Sequence, residues 1–155
     1  MLGKAKGYDV FVSDMGQIKA QYVQELEAND IEFESGKHSE DRILESDLVI
    51  KSPGIPESAP LIKKLRAKGN LIIGEIEFAA RHTAAKLIGI TGTNGKTTTT
   101  LLTYHLLKEG GFNVGLGGNV GKSLARQVIE DLHDWYVLEL SSFQLDDCYE
   151  LKLNI

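Results

Sequence analysis

The 155-residue chain has a single cysteine, Cys148. No internal disulfide can form, and a reducing compartment, the cytoplasm, is expected. No motif around Cys148 marks it as a nucleophile. There is no apolar run approaching the ~20 residues of a membrane-spanning helix. No basic-then-apolar segment follows Met1 as a secretion signal would. Positive charge is in deficit: 17 Lys and Arg against 22 Asp and Glu give a net charge of −5, which disfavours a nucleic-acid-binding surface. His38, His82, His105 and His133 lack paired metal spacing and read as surface or core histidines. Internal repeats and low-complexity segments are absent too. What remains is globular, with 42% hydrophobic and 25% charged residues, in a length that suits one ordinary domain or two small or incomplete ones.

Against these absences one stretch stands out. Leu87-Ile88-Gly89-Ile90 is an apolar strand. It runs into Thr91-Gly92-Thr93-Asn94-Gly95, and Lys96-Thr97-Thr98 then opens a helix. Strand, Gly-rich turn and Lys-Thr helix start are the layout of a phosphate-binding loop. Glycines let backbone N–H groups turn toward phosphate oxygens, and the helix adds its positive N-terminal end. In such a loop Gly92, Thr93, Asn94, Gly95, Lys96, Thr97 and Thr98 cradle a nucleoside triphosphate. Lys96 reaches the outer phosphates, and the Thr97 hydroxyl ligates Mg²⁺. The general pattern has glycine where this chain has Ile90. Leu101, Leu102, Leu106 and Leu107 recur at helical spacing up to a stop at Gly110-Gly111. The four threonines at 97–100 are poor helix formers, which suits a site better than a propensity-driven helix.

Around this stretch, strands and helices alternate. Strands are expected at 8–14, 31–34, 48–50, 71–73, 87–91, 112–116 and 135–140. Helices are expected at 18–28, 40–46, 59–67, 76–82, 97–108 and 122–132, with another after a turn beyond residue 140. Pro60 opens one helix and Gly69 follows its end. Met1 to Gly7 reads as the tail of a helix. Such alternation implies an α/β fold with mainly parallel sheet and helices on its faces. Two different α/β units are expected, 1–84 and 85–155, joined through a linker at 83–86.

Further polar groups fall at strand ends, where open parallel sheets bind ligands. Tyr136-Val137-Leu138-Glu139-Leu140 puts Glu139 near the end of one strand. There it can share one Mg²⁺ with Thr97, or face water from an edge strand. Ser141 and Gln144, directly after it, can hydrogen-bond a polar substrate or cap a helix. The second Gly-rich turn, Gly115-Leu116-Gly117-Gly118-Asn119-Val120-Gly121, offers Asn119 as donor and acceptor. Asp14 ends an early strand where dinucleotide-type domains hold a ribose. The Gly-rich turn that should precede it is missing, which leaves ligand contact and solvated turn equally open.

Taken together, these residues resemble the Mur ligases, ATP-dependent amide-forming enzymes of peptidoglycan precursor synthesis. Thr91 to Thr98 resembles the family's own form of the phosphate loop, which accounts for Ile90. Leu138-Glu139-Leu140-Ser141-Ser142-Phe143-Gln144-Leu145 is similar to the family's D-glutamate-adding branch. Gly118-Asn119-Val120-Gly121, Ser52-Pro53-Gly54-Ile55-Pro56 and Gly74-Glu75-Ile76-Glu77-Phe78 match that branch too. The resemblance covers nearly the whole chain.

It implies a Rossmann-like unit that binds the UDP-linked substrate, followed by the start of a P-loop parallel-sheet ATPase domain. It implies that the 92–98 loop binds ATP, that Thr97 and Glu139 hold Mg²⁺, and that Lys96 and Glu139 serve catalysis. Asn119, Ser141 and Gln144 then contact UDP-N-acetylmuramoyl-L-alanine, and Asp14 lies near its uridine. Met15-Gly16 departs from the Thr-Arg pair of some members. The acceptor would be D-glutamate and the parent enzyme a cytoplasmic monomer.

Family members open with a strand and Gly-rich loop before the helix at Met1, and they continue well past Ile155. The chain is therefore expected to be an inactive internal piece. The first sheet should have a gap, with the strands at 8–13 and 48–51 not paired. Two rivals remain: another Mur or folylpolyglutamate-type ligase, and a P-loop module that binds nucleotide without forming amide bonds.

Overall fold

The computed structural model describes residues 1–155 as alternating short helices and strands. By packing they form two compact units, residues 1–49 with 57–71, and residues 50–56 with 72–155.

The first unit starts with helix α1 (Leu2–Ala5), strand β1 (Phe11–Asp14), helix α2 (Ala20–Glu27) and strand β2 (Glu32–Ser35). β1 and β2 pair in parallel, Phe11 opposite Glu32 through Asp14 opposite Ser35. Helix α3 (Glu40–Leu44) follows, then strand β3 (Leu48–Lys51) and helix α4 (Pro60–Lys68). α4 is bounded as its sequence dictates. Pro60 occupies the first turn, where a missing N–H costs nothing, and Gly69 closes the helix at φ +84°. Leu2, Leu26, Ile31, Ile62 and Leu65 are the unit's buried apolar residues.

Strand β4 (Leu71–Gly74) pairs with β3 in a two-stranded sheet separate from β1–β2. β1 and β3 thus belong to different sheets, as the sequence led us to expect.

In the second unit, helix α5 (Glu75–Ala80) is anchored by its acidic residues. Glu77 is 1% exposed and accepts hydrogen bonds from the backbone N–H of Tyr149 and of Glu150, the latter at 3.1 Å. Glu75 accepts from the Ala125 N–H at 2.6 Å. Strand β5 (Lys86–Ile90) leads into helix α6 (Lys96–Glu109). Strand β6 (Val114–Gly118), helix α7 (Leu124–Val128), strand β7 (Trp135–Glu139) and helix α8 (Ser142–Leu145) follow. β5, β7 and β6 form one parallel sheet in that order, with β7 central. Asn154 and Ile155 bond back to Leu87 and Gly89 along the outer side of β5.

Four local expectations differ from the structure. The helix expected at 122–132 is confined to α7. Gly121 is left-handed at φ +78°, Ser123 caps the first turn, and Asp131 at φ +48° cannot continue a helix. The strand expected at 112–116 begins later, at Val114, because Gly111 is left-handed and Phe112 still closes the preceding helix on Leu107. α6 faces its sheet with Thr100, Tyr104 and Leu107. Tyr104 and Leu107 pack on Ile88, Val114 and Val137, whereas Leu101, Leu102 and Leu106 are exposed. Finally, within the stretch read as a linker, Lys86 already belongs to β5. Thr83 bonds Asp131 Oδ1 at 2.6 Å.

Candidate functional site

Register alone brings the strand ends together. In the parallel β5–β7–β6 sheet, Ile90 and Gly118 both lie opposite Glu139. The Leu140 N–H donates to Ile90 O, and the Asn119 N–H donates to Glu139 O, each at 2.9 Å. The phosphate-type loop, the Gly-Asn turn and Glu139 therefore leave one edge of one sheet, the C-terminal edge where parallel sheets bind ligands.

The loop's glycines are conformationally required. Gly92 has φ +145° and Gly95 has φ +77°, values that side chains with a Cβ rarely adopt. They carry the chain from β5 into the first turn of α6, whose leading N–H groups have no carbonyl four residues back. Those donors and the helix dipole make an anion site. Thr91 to Gly95, Thr97 and Thr98 are exposed, and Lys96 is half-buried. The Lys96 ammonium donates to Gly92 O at 2.6 Å, folding over the loop it would serve.

Glu139 is 4% exposed, and its Oε2 has no hydrogen-bond partner. It does not face water from an edge strand, because β7 is central. A buried carboxylate oxygen without a donor is costly, and a cation would relieve that cost. No group of three or more His, Cys, Asp or Glu stands ready to cage a metal. The donor set instead suits Mg²⁺, which commonly takes one or two protein ligands and fills its octahedron with phosphates and water.

Gly118, at φ +89°, allows this edge to close. A Cβ there would sit 2.2 Å from Glu139 O. The Gly-rich turn was visible in the sequence, but its packing on Glu139 was not.

The residues expected to contact substrate are placed as follows. Asn119 is exposed beside Glu139. Ser141 and Gln144 form a complete capping box on α8: Ser141 Oγ accepts from the Gln144 N–H at 3.2 Å, and Gln144 Oε1 accepts from the Ser141 N–H at 2.9 Å. Of the two open alternatives, the capping role is the one seen. Asp14 ends β1 in the other compact unit, exposed, and accepts from the Gly16 N–H at 2.8 Å, a turn bond. The structure brings Lys96, Thr97, Asn119, Glu139, Ser141 and Gln144 to one sheet edge and leaves Asp14 on another sheet.

Two open hollows lie elsewhere. One, of about 550 Å³, runs along Gln17 to Gln24. The other, of about 390 Å³, is lined by Lys86, Asp131 and Trp135, at the N-terminal ends of β5 and β7. The Cys148 thiol is pushed up to about 11 by burial, reinforced by the charge of Glu77. A thiol held neutral is a poor nucleophile.

A polar cluster escaped sequence reading in the first unit. Glu34 accepts from Ser13 Oγ at 2.7 Å and from the Ser39 N–H and hydroxyl, each at 2.6 Å. Burial opposes its ionisation, but these bonds and Lys37 outweigh burial and hold it down at about 2.

Comparison with known families matches residues 1–60 to the MurD N-terminal domain and residues 90–154 to the Mur ligase middle domain. The chain belongs to the Mur ligase family. UDP-N-acetylmuramoylalanine--D-glutamate ligase of Bacteroides fragilis is 59% identical over 155 residues, all of this chain and 35% of that protein. The ligase of the same name from Bacteroides thetaiotaomicron is 58% identical over the same shares. The chain thus spans about a third of the length of the curated relatives it matches.

Among solved structures, UDP-N-acetylmuramate:L-alanyl-gamma-D-glutamyl-meso-diaminopimelate ligase from Neisseria meningitides matches with a TM-score of 0.58 at 19% identity. That match covers 97% of this chain and 50% of that one. It establishes the α/β fold, with small parallel sheets, as that of the family. No helix is long and apolar enough to cross a membrane.

Proposed function

We propose that this chain is the substrate- and phosphate-binding part of a cytoplasmic ligase that uses ATP to join D-glutamate to UDP-N-acetylmuramoyl-L-alanine. Residues 1–84 would form the UDP-substrate domain and residues 85–155 the start of the ATP domain. The observation carrying this reading is the shared sheet edge. Register sets the 91–97 loop, Gly118 and a buried Glu139 with an unpartnered oxygen side by side.

In this reading the loop N–H groups and Lys96 hold the phosphates, and Lys96 neutralises charge that builds on the transferring phosphoryl group. Thr97 and Glu139 would hold Mg²⁺, whose positive charge would offset the negative charge of the phosphates. The substrate carboxylate attacks the terminal phosphorus, giving an acyl phosphate and ADP. The D-glutamate amine then attacks the acyl carbon, and inorganic phosphate leaves. Asn119, Ser141 and Gln144 orient the carboxylate arm. Positioning of this kind can supply about 7–11 kcal/mol of barrier reduction.

The test is ADP release by the full-length protein with UDP-N-acetylmuramoyl-L-alanine and a panel of amino acids. Release with D-glutamate alone is expected. Release with another amino acid would place the chain in a different branch. Nucleotide binding without any response to the UDP-sugar would make it a non-catalytic nucleotide-binding module.

A further inference from the structure

The second unit holds a buried ion pair that the chemistry above does not use. Lys51 and Asp147 are 5% and 2% exposed, and the ammonium lies 3.0 Å from Asp147 Oδ2. Lys51 ends β3, immediately before Ser52-Pro53-Gly54-Ile55-Pro56. Its ammonium also donates to Ile55 O at 2.9 Å, tying the end of that turn to its beginning. Asp147 follows α8, two residues past its last helical position. The Asp147 carbonyl accepts from the Gly74 N–H at 2.9 Å, and a Cβ on Gly74 would meet Asp147 Cβ at 3.2 Å. One ammonium therefore joins two segments distant in sequence, the exposed 52–56 turn and the stretch carrying the Ser141–Gln144 cap.

Burying both charges costs roughly what their attraction returns, so the pair adds little net stability over apolar residues of the same shape. Its consequence is geometric. The ammonium meets the Ile55 carbonyl and the Asp147 carboxylate together in one arrangement of turn and helix. Displacing either segment would strand a charge out of water.

Resting on the function proposed above, we infer that Lys51 and Asp147 are a positioning pair for the UDP-sugar substrate. They hold the 52–56 turn and the Ser141–Gln144 cap as two walls of one substrate mouth. Neither touches the reacting atoms, and the ATP phosphates rely on the separate 91–97 loop. The pair should therefore govern affinity for the UDP-sugar and leave that for ATP unchanged.

The experiment uses the full-length protein and three variants, Lys51→Met, Asp147→Asn and the double variant, each of nearly conserved shape. Each single variant should raise KM for UDP-N-acetylmuramoyl-L-alanine about tenfold or more, with KM for ATP within about twofold. The double variant should recover thermal stability, because no charge is stranded, yet keep the raised KM. A merely structural pair would instead give back wild-type KM together with stability, and that result would overturn the inference. KM values for both substrates rising in parallel would overturn it equally. Should the single variants fail to fold, the double variant alone decides. Wild-type protein that does not turn over the UDP-sugar would refute the functional reading itself. Active wild type with unchanged KM in the double variant refutes only the positioning role.

Discussion

Replacing Glu139 by methionine tests the site through the sign of a stability change. Most substitutions of buried residues destabilise, typically by about 1 kcal/mol. Glu139 is 4% exposed on the central strand, and its Oε2 lacks a donor. An unsatisfied buried polar group costs about 1–3 kcal/mol, more when charged. Methionine keeps the length of the side chain and removes that cost. Glu139→Met should therefore stabilise the ligand-free chain by about 1–3 kcal/mol. At about 2–4 °C per kcal/mol for a chain of this size, melting should rise by roughly 2–12 °C. The same variant should lose the Mg²⁺ dependence of nucleotide binding, measured calorimetrically with a non-hydrolysable ATP analogue with and without the ion. Such a trade of function for stability is common at ligand sites. A variant destabilised by about 2 kcal/mol or more, with Mg²⁺-dependent binding intact, would refute the reasoning.

Other expectations follow from the same geometry. Gly118→Ala should lower stability by more than about 2 kcal/mol, since it adds positive-φ strain to a contact of 2.2 Å with Glu139 O. Gly95→Ala, with φ +77° but open space around its Cβ position, should cost only the strain of about 1–2 kcal/mol; urea titration compares the two. Glu34 lies at about 2 in the folded chain, below its ordinary 4.5, so its contribution is full above pH 4.5 and fades as pH falls toward 2. Ser39→Ala should accordingly be less stable than wild type at neutral pH, with the gap closing toward pH 2; a gap that widens on acidification contradicts the assignment. Cys148, pushed up to about 11, should be on the order of a thousandth thiolate at pH 8 and react slowly with a disulfide reagent until the chain is denatured. Rapid labelling of folded protein would show the thiol to be activated.

Much of the fold was legible because local signals agreed. Pro60 and Gly69 frame α4 as their backbone preferences require, and the 91–98 stretch announces its turn and its helix start together. What stayed hidden depends on residues far apart in sequence. Glu139 read as a metal ligand, with a wet edge residue as the alternative, until the β5–β7–β6 order put its strand in the centre. The leucines of α6 carry a helical period, yet Thr100, Tyr104 and Leu107 face the sheet, because sheet position rather than hydrophobicity sets which side is covered. The length of α7 turned on left-handed residues at Gly121 and Asp131, and an aspartate in that conformation leaves little trace in sequence. Ser141 and Gln144 satisfied both a capping and a substrate reading, and the hydrogen bonds show the first.

The claim on which the account rests is that the 91–98 loop and Glu139 form one metal–phosphate site. Amide NMR spectra of the labelled chain with ATP and a trace of Mn²⁺ in place of Mg²⁺ test it directly, since the paramagnetic ion broadens signals around itself even when binding is weak. Selective broadening of Gly92 to Thr98, Gly118, Asn119, Glu139 and Leu140, absent in Lys96→Ala, is the expected result. Broadening centred elsewhere, or broadening of the loop that leaves Glu139 and Leu140 sharp, would contradict it.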